Sequence, residues 1–256
     1  MPLYNLLKTS ISKKTIQLIL VFISILFMNT SWSKNTSLTT QHKKVLFIVS
    51  SDKHGYFMSE VVEPYQLLQD AGFVIDIASP KGGQGKRSGM GRLNNKQVKW
   101  LNQSTLAKQL KNTIPLKKVN THNYSAVYFS GGSGPMFDLS NNTQAQEITR
   151  KIYQNGGIVA ADCHGPVALV NVKLSNGQLL IAGKKVTGKA NTEEGRWGRK
   201  NYPFLLEDKL IQAGALYSSG PNNLVHVVED ERLITAQNPA SAILMTEKLI
   251  NQLKTQ

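Results

Sequence analysis

The chain has 256 residues and a single cysteine, Cys163. No disulfide can form within it, and an odd thiol leaves three readings: buried and inert, paired between chains, or kept for its reactivity. Acidic residues are also scarce, 16 against 30 lysines and arginines, and none lies between Gly82 and Phe137. That same stretch has no aromatic interleaving and no helix-turn-helix pattern, which argues against a nucleic-acid reader. The five histidines, His42, His54, His122, His164 and His226, form no close ligand pair, so no metal site is expected. The longest apolar run, residues 16–28, falls short of the roughly 18 to 20 residues a membrane-spanning helix requires. Internal repeats and low-complexity linkers are absent too, which leaves one domain rather than an array.

What remains is globular in character, with 41% hydrophobic and 18% charged residues. Residues 1–33 are set apart. Lys8, Lys13 and Lys14 precede the apolar run, and Ser31-Trp32-Ser33 places small residues where a signal peptidase reads, so this segment is expected to be a cleaved secretory leader. The remainder, 34–256, is expected to be a single domain in a periplasmic or secreted protein. It carries 27 basic against 16 acidic residues, a net charge of +11. Lys86, Arg87, Arg92, Lys96, Lys99, Lys108, Lys111, Lys117 and Lys118 crowd into the acid-free stretch. They form a solvated basic face or a contact for an anionic polymer or membrane surface.

The pattern along this domain alternates. Apolar runs at 44–50, 73–78, 125–130 and 157–161 suit buried strands, and helical spacing marks 59–71, 105–111, 143–154 and 166–172. Residues 225–228 and 233–235 predict a hairpin, and Asn238-Pro239 opens a last helix as cap and first residue. This is the order of an α/β fold, a flavodoxin-like parallel sheet covered by helices on both faces.

Ligands of such sheets gather at the carboxyl ends of the strands, and Cys163 falls there, between strand 157–161 and helix 166–172. A sharp strand-to-helix turn projects its corner side chain into the cleft. A helix N-terminus beneath the sulfur favours thiolate, the reactive form. Gly165 and Pro166 suit the turn.

The stretch "AADCHGPVALVNV" resembles the cysteine elbow of the ThiJ/PfpI superfamily, the class I glutamine amidotransferase-like group. "SEVVEPYQLLQDAGFVIDIASPKGG", "YFSGGSGPMFDL", "GKKVTGKANTEE", "YPFLLEDKL" and "LITAQNPASA" are similar to that group's other blocks, in the same order. The branch most resembled is that of the stress-inducible chaperones and glutathione-independent glyoxalase III enzymes. The resemblance implies Cys163 as nucleophile, His164 as its base, Glu60 as proton carrier (with Glu63 as rival) and Glu194 as the acid that orients the imidazole (with Glu193 as rival). It also implies an oxyanion site built from backbone N–H groups of Gly131, Gly132 and His164, a homodimer, and no cofactor.

The activity so implied is cofactor-free conversion of a small 2-oxoaldehyde such as methylglyoxal to a hydroxy acid, with a holdase-type chaperone or an amide-bond hydrolase as alternatives. Two departures bear on it. Ser133 stands where the family carries histidine in a GGHG pattern, and Asp162 precedes the cysteine where a small or apolar residue is usual. A carboxylate facing the sulfur opposes thiolate formation.

Overall fold

A computed structural model describes residues 43–256; the leader-like segment 1–33 lies outside the described residues. Seven strands form one sheet: β1 (Lys44–Ile48), β2 (Val74–Ser79), β3 (Ile114–Pro115), β4 (Ala126–Phe129), β5 (Ile158–Asp162), β6 (Val227–Asp230) and β7 (Leu233–Ala236). Their order is β6-β7-β5-β4-β1-β2-β3. Every neighbouring pair is parallel except the β6–β7 hairpin, which adds one antiparallel strand at the edge.

The apolar runs read as strands because both faces of the sheet are covered. In β1, Val45 and Phe47 point to one core and Leu46 and Ile48 to the other, all four with no exposed surface. The first core receives helices α1 (Ser59–Asp70) and α3 (Ala242–Thr255), through Val61, Val62, Leu68, Met245 and Leu249. The second receives α2 (Thr143–Gln154), through Ala145, Ile148 and Ile152. Each fully buried side chain of this size is worth about 1.5–3 kcal/mol relative to exposure, so the alternation in five-residue β1 fixes which helix covers which face.

Two elements differ from the sequence expectation. Asn238 does not cap α3: its side-chain oxygen accepts from Ser241 Oγ at 2.9 Å, and Pro239–Ser241 is a separate 3-10 turn before the helix begins. The predicted helix 166–172 is a five-residue 3-10 turn, Gly165–Leu169, packed so closely under β4 that a Cβ on Gly165 would lie 2.3 Å from the Phe129 carbonyl oxygen. Of the nine basic residues at 86–118, all but Arg87 are exposed, and no salt bridge among the described residues uses any of the nine.

Strand order reverses direction at β1, with β2 on one side and β4 then β5 on the other. That is the switch point where the loops leaving adjacent strands diverge and open a crevice. The loops after β4 and β5 meet there.

Candidate active site

Cys163 follows β5 directly and has φ of 51°, in the left-handed region that a side chain with a Cβ adopts only when its surroundings impose it. Two backbone bonds impose it here. The Cys163 N–H donates to the Ala236 carbonyl at 2.9 Å, and its own carbonyl accepts the Lys189 N–H at 2.8 Å. The thiol is thereby turned into a cleft of about 660 Å³ lined by Phe57, Arg92, Gly132, His164, Lys189 and Ile243, among others. The residue keeps only 6% of its surface exposed.

His164 Nδ1 lies 3.6 Å from the Cys163 sulfur, within hydrogen-bond range for sulfur, so the bent elbow does let adjacent side chains meet. The other ring nitrogen, Nε2, is 2.5 Å from Glu194 Oε1, and both side chains are buried. A carboxylate at Nε2 holds the proton on that nitrogen and leaves Nδ1 as an acceptor facing the thiol. Glu194 follows the 3-10 turn Asn191–Glu193, and Gly198 leaves room for its carboxylate, since a Cβ there would lie 2.6 Å from Glu194 Oε2. Its rival Glu193 is engaged elsewhere: it accepts from the Asn223 N–H at 2.6 Å and Asn238 Nδ2 at 2.9 Å, and pairs with Lys189 at 3.2 Å.

Glu60 is the second residue of α1 and is wholly buried. Its carboxyl faces the Cys163 thiol, yet neither oxygen has a well-aligned hydrogen-bond partner. A Cβ added to Gly131 would touch both Cys163 Cβ and Glu60 Oε2 at 2.6 Å, so the two groups flank that glycine. Burial, then the charge of Asp162, push the Glu60 carboxyl well above the ordinary carboxylate range. Glu63 is half-buried and receives Gln97 Nε2 at 3.0 Å.

Two expectations need correction. Burial pushes the Cys163 thiol up, and the neighbouring Glu60 adds to this, so the sulfur is not held ionised by a helix end. The turn beneath it is too short to act as a helix dipole, and the cation that lowers the thiol's affinity for its proton is Lys189. The Gly131 N–H is already spent, donating to Asp162 Oδ1 at 2.8 Å. Among the described residues no hydrogen bond uses the N–H of Gly132 or of His164, and both residues line the cleft.

Asp162 does not face the sulfur. Its carboxylate turns under the Gly131 loop, where it also accepts the Tyr128 hydroxyl at 2.6 Å. Ser133 receives the Tyr202 hydroxyl at 2.8 Å, and the Tyr202 ring stands edge-on to His164 with centroids 5.1 Å apart. Sequence reasoning missed Lys189 and Tyr202. Both lie inside blocks quoted for the resemblance, but nothing in their spacing shows that they turn inward. Among the described residues no group of three His, Cys, Asp or Glu side chains is placed to hold a metal, and no helix is long and apolar enough to cross a membrane.

The sequence model of the DJ-1/PfpI family matches residues 43–252. The glutathione-independent glyoxalase HSP31 of Saccharomyces cerevisiae is 32% identical over 223 residues, covering 82% of this chain and 93% of that one. Among solved structures, the Rapid Encystment Protein 24 kDa of Francisella tularensis is 36% identical with a TM-score of 0.78, covering 82% of this chain and 99% of the other. Glyoxalase III of Candida albicans is 27% identical with a TM-score of 0.76, over 82% and 97% of the respective chains. With a buried glutamate facing the cysteine at the elbow, and the family match running through almost every described residue, the chain belongs to the DJ-1/PfpI family.

Proposed function

We propose that the protein is a glutathione-independent glyoxalase of the glyoxalase III type, turning small 2-oxoaldehydes such as methylglyoxal into 2-hydroxy acids. The observation that carries this reading is the Cys163 thiol set between two groups of opposite duty. On one side His164 Nδ1, oriented by Glu194, is free to accept the thiol proton. On the other, Glu60 sits in a dry environment that keeps a proton on its carboxyl.

The sulfur passes its proton to His164 and adds to the aldehyde carbon, while Glu60 protonates the aldehyde oxygen, giving a hemithioacetal. Glu60, now a carboxylate, lifts the proton from the former aldehyde carbon and returns it to the neighbouring carbon, while the His164 imidazolium gives the thiol's proton to the second oxygen and then takes the proton of the first. The product of that transfer is a thioester of Cys163 with a 2-hydroxy acid, which water cleaves to restore the thiol. Negative charge on oxygen develops where the free N–H groups of Gly132 and His164 line the cleft. No electron leaves the substrate, so the redox change is internal and no external oxidant is needed.

Methylglyoxal incubated with the purified protein in the absence of glutathione should yield lactate, and Cys163→Ala should not. Equal lactate production by both proteins overturns the reading. Asp162 and Ser133, the two departures from the family pattern, are hydrogen-bonded to the Gly131 N–H and the Tyr202 hydroxyl and not to the sulfur. We further propose that the protein acts outside the cytoplasm as a homodimer, with its unpaired cations at 86–118 toward an anionic polymer or membrane surface. The supports are the leader-like segment, the family resemblance and the charge distribution. N-terminal sequencing of the exported form and sedimentation analysis test the first two.

A further inference from the structure

Asp162 is an acid in the interior of a parallel sheet, fully buried at the end of β5. It is held by two donors, the Gly131 N–H at Oδ1 and the Tyr128 hydroxyl at Oδ2. Tyr128 Oη also lies 3.1 Å from the carbonyl oxygen of Glu60. That carbonyl is available for a reason written in the sequence. Pro64 lies four residues on, inside α1, and has no N–H to return to it. One side chain thus touches the glycine loop lying against Cys163 and, through a single tyrosine, the first turn of the helix that carries Glu60.

We propose that Asp162 is the positioning residue of this site: it fixes the Gly131 loop and the Glu60 turn in one hydrogen-bonded unit, and its charge makes Glu60 the carboxyl that carries the proton. The proposal rests on the reading of Cys163 and Glu60 as nucleophile and proton carrier. Two carboxyls in one dry interior do not both ionise cheaply. Asp162 has two donors aimed at it and Glu60 has none well aligned, so the charge belongs on Asp162 and the proton on Glu60.

The other charged and titratable groups facing this pair are Glu63 of α1, Tyr128 of β4, Cys163 itself, and Lys189, whose charge opposes theirs at both Glu60 and Cys163. Burial raises Asp162 only to about 7, with its hydrogen bonds to Tyr128 and Gly131 pulling the other way, while Tyr128 is pushed well up and stays a neutral donor.

Asp162→Asn separates charge from shape. The amide oxygen still accepts the Gly131 N–H, the amide nitrogen donates to Tyr128 Oη, and the tyrosine proton turns to the Glu60 carbonyl, so every polar group keeps a partner. Because the chain has one cysteine, the rate of alkylation by iodoacetamide reports on Cys163 alone, independently of any aldehyde. In the full chain, Asp162→Asn lets Glu60 ionise beside the thiol, so it should raise the midpoint of the alkylation rate against pH by about one unit, a tenfold slower reaction at a fixed pH below the midpoint. In a Glu60→Gln background only the direct charge of Asp162 is removed, so the same substitution should leave the midpoint level or lower it.

An unchanged midpoint in a folded Asp162→Asn protein overturns the proposal, as does an equal shift with and without Glu60. Should Asp162→Asn fail to fold, infrared difference spectra of the wild type against Glu60→Gln decide. A protonated-carboxyl band belonging to Glu60 above neutral pH is expected, and its absence refutes the assignment. A wild type that makes no lactate but gives these results disposes of the glyoxalase reading alone.

Discussion

Gly131→Ala tests the packing on which the site depends. The added Cβ would lie 2.6 Å from Cys163 Cβ, 2.6 Å from Glu60 Oε2 and 2.9 Å from the Asp162 carbonyl oxygen. Carbon pairs rest at about 3.5–4.0 Å, so the methyl overlaps the nucleophile's own side chain by about 1 Å. None of the three can yield cheaply. Cys163 Cβ is one bond from a backbone pinned at both its N–H and its carbonyl, Asp162 O is backbone, and Glu60 is enclosed on every side.

Overpacking of this kind costs about 1–3 kcal/mol, which for a domain of this size lowers Tm by about 2–4 °C per kcal/mol. The loop moves away to relieve it, breaking the Gly131 N–H bond to Asp162 and parting Glu60 from the sulfur. Losing a positioned proton carrier costs about 10²–10⁴ in rate, so lactate formation should fall by at least about a hundredfold, far more than the change in stability implies. Gly91→Ala, where an added Cβ meets nothing within 4 Å, serves as the control for the exchange itself. A Gly131→Ala protein with reduced Tm but wild-type turnover refutes the reasoning, because it shows that the wedge does not separate acid from nucleophile.

Glu194→Gln keeps an acceptor for His164 Nε2 but removes its charge from a buried pair 2.5 Å apart. Turnover should drop by about 10²-fold or more with the fold intact, as read by kcat/KM beside a thermal melt. Tyr202→Phe loses one hydrogen bond to Ser133 and leaves its ring against His164. A stability loss of about 0.5–1.5 kcal/mol is expected, together with a smaller rate effect than that of Glu194→Gln. Asp138 and Asp162 are raised by burial to about 6 and about 7 from an ordinary value of 3.8. Compared with the unfolded chain the fold makes their ionisation harder, so the stability is complete below that ordinary value and lost as pH rises through 6 and 7, where Asp162 takes on its charge. Tm should be higher at pH 5 than at pH 8, and Asp162→Asn should flatten the difference; a flat wild-type profile contradicts the raised values.

The centre of the sheet was legible because β1, β4 and β5 are buried on both faces and so appear as apolar runs. Its central order also follows from alternation with helices. Two-residue β3 was not legible, since Ile114-Pro115 carries too few side chains to show a period. Cys163 and Glu194 could be placed from strand ends and matching blocks. What the sequence hid was direction. Asp162 stands next to the nucleophile, and the alternation of strand side chains could not be extended to Cys163, because its positive φ takes it out of strand geometry. The helix predicted after the elbow failed for a related reason. Gly165 is pressed so tightly on Phe129 that the chain coils into a 3-10 turn, and the positive charge near the sulfur comes from Lys189 instead.

Three local features of this chain break the usual preferences, and each is answered by another. Pro64 interrupts the hydrogen bonds of α1, an acid lies in the sheet interior at Asp162, and a cysteine adopts a glycine-like backbone. Taken singly each costs stability, the last alone about 1–3 kcal/mol. Pro64 frees the Glu60 carbonyl, Tyr128 reaches that carbonyl and Asp162 together, Asp162 holds Gly131, and Gly131 leaves the gap in which Glu60 meets the twisted Cys163. Removing the Tyr128 hydroxyl or the Asp162 carboxylate orphans a buried polar group at the next, which costs about 1–3 kcal/mol. The irregularities are therefore coupled rather than independent, as expected where a fold trades local preference for a site. Double substitutions along this chain should be less destabilising than the sum of the singles, with Pro64→Ala and Tyr128→Phe the first pair to measure: once Pro64→Ala restores the helical bond to the Glu60 carbonyl, the loss of the Tyr128 hydroxyl costs only its bond to Asp162.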